Sequence, residues 1–180
     1  MAENKVQFNI KNVHIAVQSG STWVSPVSVP GAVLLTLDKN ASIDPFYADG
    51  VVYYNSVSNN GYTGSLEVAR IPDAILTAIW GFTLTSSSKI MQEDATIEPK
   101  NFALLFETDG DVQSEKFVFY NCSATAPSLS ASTNTDTKEP QTQTIELSAI
   151  PMSNGLVFSR TTDTTPTTVS SAWYTSVTTN

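Results

Sequence analysis

Two stretches of alternating side chains constrain this chain more than anything else in it. From Tyr62 to Ala69, the residues Tyr62, Gly64, Leu66 and Val68 alternate with Thr63, Ser65, Glu67 and Ala69; from Thr144 to Ala149, Ile145, Leu147 and Ala149 alternate with Thr144, Glu146 and Ser148. A strand turns successive side chains to opposite faces, so a period of two predicts half-buried antiparallel strands with one face on a core and the other in water. Lys5 to Ile10, Val13 to Val17, Ala32 to Leu37, Val51 to Val57, Phe102 to Glu107 and Lys116 to Asn121 add β-branched or aromatic runs of strand length. The expected fold class is mainly β, an antiparallel sandwich or barrel-like arrangement.

Two runs are more apolar than alternation requires. FALLF (Phe102 to Phe106) and FVFY (Phe117 to Tyr120), joined through Asp109-Gly110, predict a central hairpin covered on both faces. One short flanking helix is expected after Ile71. Pro72 and Asp73 suit its first turn, Ile75, Leu76, Ile79 and Trp80 form its apolar stripe, and Gly81 ends it.

The connections have distinct characters. Asp38 to Gly50 (DKNASIDPFYADG) reads as a long loop with an exposed aromatic tip at Phe46 and Tyr47, suited to making contacts. Ser86 to Lys100 reads as a second, mostly polar excursion, and Ala126 to Pro140 as a Ser/Thr-rich loop between strands. The chain divides into a β domain over residues 1–152 and a polar C-terminal arm over 153–180. Composition alone makes the arm mobile, but Phe158, Trp173 and Tyr174 are candidate anchors that would pack it on the same or a neighbouring subunit.

Composition narrows the function classes. Net charge is −8, and the nine basic residues stand apart with no two adjacent, so no cationic footprint for phosphate is visible. The start, MAENKVQFNI, has no apolar run, and no later stretch reaches membrane-spanning length; a soluble chain made in a cytoplasm is expected. The single cysteine, Cys122, reads as a small core residue, and the single histidine, His14, as a strand residue with a satisfied ring.

Material for catalysis is thin. No nucleophile elbow, phosphate loop or dinucleotide fingerprint occurs. Asp109, Asp111 and Glu115 cluster near a turn, but glycine separates the first two and the later ligands of a calcium loop are missing, so a solvated hairpin tip is expected. The expectation is a protein that is not an enzyme and needs no cofactor or metal. A carboxylate-dependent glycan hydrolase is the enzymatic alternative, since no spacing in a sequence excludes a distant acid pair.

The segments KNVHIAV, VPGAVLLTLD, PFYADGVVYYNSVSNNGYTGSLEVARIPD, KNFALLFETDGD, FVFYNCSATAPS and EPQTQTIELSAIPM resemble, in that order, the major tail proteins of long-tailed phages and prophages of Gram-positive bacteria. The likeness runs from about Lys5 to Met152 and does not extend to the C-terminal arm. It implies a tail-tube fold, a β-sandwich flanked by a helix, whose sheets join around hexameric rings. Those rings stack into a virion tail tube, assembled in the host cytoplasm, through which DNA is ejected without specific binding. The implied partners are other copies of the chain, a tape-measure protein and tail-terminator or distal-tail proteins.

Placed on that plan, Asp38, Asp44, Pro45, Phe46, Tyr47 and Asp49 form the candidate ring-stacking loop. Thr63, Ser65 and Glu67, or Thr142, Thr144 and Glu146, are candidates to face the lumen. Six copies at −8 each carry about −48 per ring, which lets duplex DNA pass without sticking. The alternative is a β-sandwich adhesin or receptor-binding module, because Ser/Thr-rich sandwiches with exposed aromatics also suit host-surface glycans.

Overall fold

The computed structural model describes residues 6–110, 114–133 and 140–179. Lys5 of the first expected strand, Asp111 of the acidic turn, residues 134–139 of the Ser/Thr-rich stretch and Asn180 lie outside them.

The elements run in the order β1 (Ile10–Ser19), β2 (Thr22–Trp23), β3 (Val27–Ser28), β4 (Ala32–Ala48), β5 (Val51–Val68), α1 (Asp73–Trp80), β6 (Thr83–Leu84) and β7 (Met91–Gln92). They continue with β8 (Phe102–Thr108), β9 (Lys116–Ala124), β10 (Gln143–Ala149), β11 (Phe158–Arg160) and α2 (Thr167–Ala172). Nine strands form one antiparallel sheet along the path β2-β1-β8-β9-β10-β5-β4, with β3 beside β1 and β11 beside β9, while β6 and β7 make a separate small hairpin. The protein is mainly β, as the alternation requires. The sheet is rolled, so that β1 approaches β4 although the two share no ladder.

The main core fills the concave side. Val13, Ile15, Val17, Leu66, Val68, Phe102, Leu104, Ile145 and Leu147 meet there under α1, which contributes Ile75, Ile79 and Trp80. The Trp80 indole donates to the Ala124 carbonyl at 3.0 Å, and Gly81 ends the helix at φ 68°, a left-handed conformation that glycine adopts without Cβ strain. Entry into α1 is pinned by Gln143, whose side-chain oxygen accepts the Ile71 amide at 2.7 Å.

Alternation sends the other side chains of β1, β8 and β9 to the opposite face. Ala16, Ala103, Leu105, Val118 and Tyr120 form a second buried cluster there, closed by Trp173. The central hairpin is thus covered on both faces, which explains FALLF: its even and odd residues enter different cores.

Two expectations need correction. Residues 6–9 belong to no strand; they are tied to the turn after β8 by bonds from the Phe8 amide to the Asp109 carbonyl and from the Asp109 amide to the Asn9 carbonyl. Asp38 to Gly50 is no loop, because β4 continues to Ala48 and only Asp49 and Gly50 turn. Of the two places open to the arm, the same subunit or a neighbour, the residues described lie on this chain: β11 pairs with β9, and α2 leads Trp173 onto this chain's own sheet.

Candidate functional site

The hairpin of β4 and β5 is the dominant surface feature. At its base β5 pairs with β10 from Tyr62 to Val68. Beyond Tyr62, among the described residues, the two strands pair only with each other, from Ala41 opposite Asn59 to Ala48 opposite Val51. Its end is a two-residue Asp49-Gly50 turn with φ of 51° and 79°, the positive pair that matches a type I′ turn to the twist of a hairpin.

Of the residues expected in a stacking loop, Asp38 lies at the base, opposite Thr63. Asp44 stands opposite Ser56 and accepts the Ser42 hydroxyl at 3.2 Å; Pro45 stands opposite Asn55, and Asp49 is in the turn. Pro45 is tolerated because β4 is the sheet's edge strand, where a missing amide need not break a ladder. Phe46 faces Tyr54, and Tyr47 faces Val52 after a bulge.

The ends of the aromatic side chains meet solvent: Phe46, Tyr47, Tyr53 and Tyr54 are 61%, 63%, 74% and 63% exposed. The Ile43–Val57 pair is exposed as well. It lies three positions from the Phe46–Tyr54 pair, so apolar groups occupy both faces of the projection. A two-stranded hairpin is at best marginally stable alone in water, and a large exposed apolar surface marks an interaction site. Sequence reasoning missed Ile43, Tyr53, Tyr54 and Val57 as parts of this surface. The signal was present in Asp49-Gly50 flanked by aromatic and β-branched residues.

The second feature is a polar sheet face. Thr63, Ser65 and Glu67 on β5 stand directly opposite Ser148, Glu146 and Thr144 on β10, and Asp38 and Thr36 on β4 stand opposite Thr63 and Ser65. Thr142, just before β10, donates its hydroxyl to Glu67 at 2.6 Å. The two sets treated as separate candidates are therefore one surface, with Asp38, Glu67 and Glu146 as acids and no Lys or Arg among these positions.

The arm's anchors point back into this chain. Phe158 stacks on Phe119 with centroids 5.3 Å apart, and the Trp173 indole donates to the Phe117 carbonyl at 3.4 Å. Tyr174 donates to the buried Glu107 at 3.1 Å and stacks on His14 at 4.5 Å. Burial, reinforced by the Glu107 charge, raises the Tyr174 hydroxyl well above the usual tyrosine range. Burial pushes the Cys122 thiol up to about 12, far from the reactive range.

Two of the acids by the Asp109-Gly110 turn are engaged with cations. Asp109 pairs with Lys11 at 3.1 Å and Glu115 with Arg160 at 2.8 Å. Among the described residues, no group of three or more His, Cys, Asp or Glu could hold a metal ion.

These surfaces define a mainly β protein with a projecting apolar hairpin beside an acidic sheet face. No protein-family model matches the chain, and no curated protein matches it.

Proposed function

We propose that this chain is the tail-tube subunit of a long-tailed phage, a structural protein that polymerises into stacked hexameric rings and forms the conduit for DNA ejection. The observation that carries the reading is the hairpin: an isolated molecule leaves Ile43, Phe46, Tyr53, Tyr54 and Val57 in water, and a polymer buries them. Edge strand β4 supports it, since among the described residues the apolar stretch Val33 to Leu35 has no hydrogen-bonded strand on its outer side and can accept one from another copy. The likeness of the segments between Lys5 and Met152 to tail-tube proteins supplies the hexameric plan.

In such a ring the acidic face of β4, β5 and β10 is suited to the lumen, where it repels phosphate and offers no cation to hold it. Tape-measure, terminator and distal-tail proteins are the partners this role implies. Negative-stain microscopy of the purified chain is the test. Six-fold rings or tubes are expected; dispersed monomers that bind glycans would favour the adhesin reading, for which Tyr53 and Tyr54 are equally available.

A further inference from the structure

The turn that carries the chain from β10 into the arm holds an Asn-Gly dipeptide. The sequence contains two such pairs, Asn60-Gly61 and Asn154-Gly155. In each, the asparagine side chain is open to attack by its own backbone, because glycine has no side chain to shield the nitrogen that follows. The fold treats the two differently. Gly61 lies buried within β5, its amide donates to the Asn59 side chain at 3.3 Å, and a Cβ there would collide with the Ala149 carbonyl. Ser153, Asn154 and Gly155 are exposed, and among the described residues nothing lies within 4 Å of the place a Gly155 side chain would take.

We propose that Asn154 is a site of spontaneous deamidation, and that its conversion to isoaspartate loosens the C-terminal arm. The Gly155 nitrogen attacks Asn154 Cγ. The new C–N bond closes a cyclic succinimide, the bond from Cγ to the side-chain nitrogen breaks, and that nitrogen leaves as ammonia with the proton given up by Gly155. Water then opens the ring at either carbonyl, giving aspartate or, with the main chain rerouted through Cγ, isoaspartate.

The turn assists the first step. Asn154 Oδ1 accepts the Leu156 amide at 3.0 Å, so a donor already points at the oxygen on which negative charge develops as the ring closes. The opposing contact is the bond from the Gly155 amide to the Met152 carbonyl at 2.8 Å. In an exposed turn, water replaces that bond whenever the turn opens.

The consequence follows from what the turn fastens. The Met152 amide donates to the Leu156 carbonyl at 2.9 Å, and both side chains pack against the second core. Val157 beyond them is buried, and its carbonyl accepts the Tyr120 amide at 3.1 Å. Isoaspartate adds a main-chain carbon between Met152 and Leu156, displaces the acceptor of the Leu156 amide and leaves a carboxylate in the turn. The closure of the turn and the pairing of β11 with β9 weaken together.

The test is storage of the full-length protein in mildly alkaline buffer, followed by peptide mapping with mass spectrometry and methyltransferase labelling of isoaspartate. Conversion at Asn154 should outrun that at Asn60 by on the order of tenfold or more, because Gly61 reacts only when its strand opens. In limited proteolysis the stored protein should be cut beyond residue 153 sooner than fresh protein, and Asn154→Gln stored alongside should show no such change. An intact Asn154 after storage, or equal conversion at Asn60, would overturn the site. Conversion at Asn154 with unchanged cleavage, or faster cleavage of stored Asn154→Gln as well, would overturn its effect on the arm.

Discussion

Thr144 on β10 stands directly across from Glu67 on β5, so two polar alternations more than seventy residues apart in the chain form one continuous face. The alternation determines that each strand has a wet side; only the antiparallel register determines that the wet sides coincide. That joint face is the one proposed for the lumen, and Glu67 and Glu146 supply its charge beside Asp38.

Replacing Glu146 by Lys should leave the monomer's stability within about 0.5 kcal/mol of wild type, because the residue is exposed on the sheet surface. In a tube it would place a ring of cations on the path of DNA. Virions carrying Glu146→Lys, or Glu67→Lys, should eject their genome more slowly at low salt, with the defect relieved as salt rises. Unchanged ejection kinetics in both variants would remove this face from the lumen.

Trp173→Ala tests the arm. The side chain closes the second core over Ala16, Leu105 and Val118, and loss of a buried tryptophan typically costs about 3–5 kcal/mol. Urea denaturation should show a loss of that size, and limited proteolysis should release the chain beyond residue 153 first. Wild-type stability would mean that the arm contributes nothing to the folded monomer.

Tyr174 predicts the alkaline limb of stability. Its hydroxyl has a folded pKa raised above the ordinary 10.0 by burial and by Glu107. The folded state therefore holds the proton more tightly than the unfolded one, and the contribution is complete below pH 10 and lost as pH rises above it. Tyr174→Phe keeps the ring but removes the proton, so denaturation midpoints should fall less steeply above pH 10. Some slope should remain, because burial raises Tyr120 as well. An unaltered slope in Tyr174→Phe would show that Tyr174 does not titrate against folding.

Much of this was legible from local chemistry. The strands at Val13, Tyr62, Phe102, Lys116 and Thr144 follow from their alternation or apolar runs, and α1 from Pro72, its stripe and Gly81. Where the reading failed, a local signal competed with a tertiary one. Asn40, Asp44 and Pro45 are turn formers, and they outweighed Asp49-Gly50 in suggesting a loop; on an edge strand those residues carry little penalty, so a long hairpin forms. For the arm, the anchors were legible but the surface they cover was not. Its Thr and Ser content is that of a mobile tail, but a single tryptophan has a ready-made apolar face to cover, a face that exists only after β1, β8 and β9 have assembled.

The most direct test of the central claim, that the projecting hairpin is an assembly arm, is sedimentation velocity on wild type and on the Phe46→Ala, Tyr47→Ala double variant. Both side chains are exposed in the isolated molecule, so their truncation should leave the melting temperature of the subunit nearly unchanged while removing aromatic anchors at an interface. Wild type should sediment as rings and longer polymers, and the double variant as monomer or shorter assemblies at the same concentration. Identical distributions, with tubes of unchanged length and stability, would contradict the account.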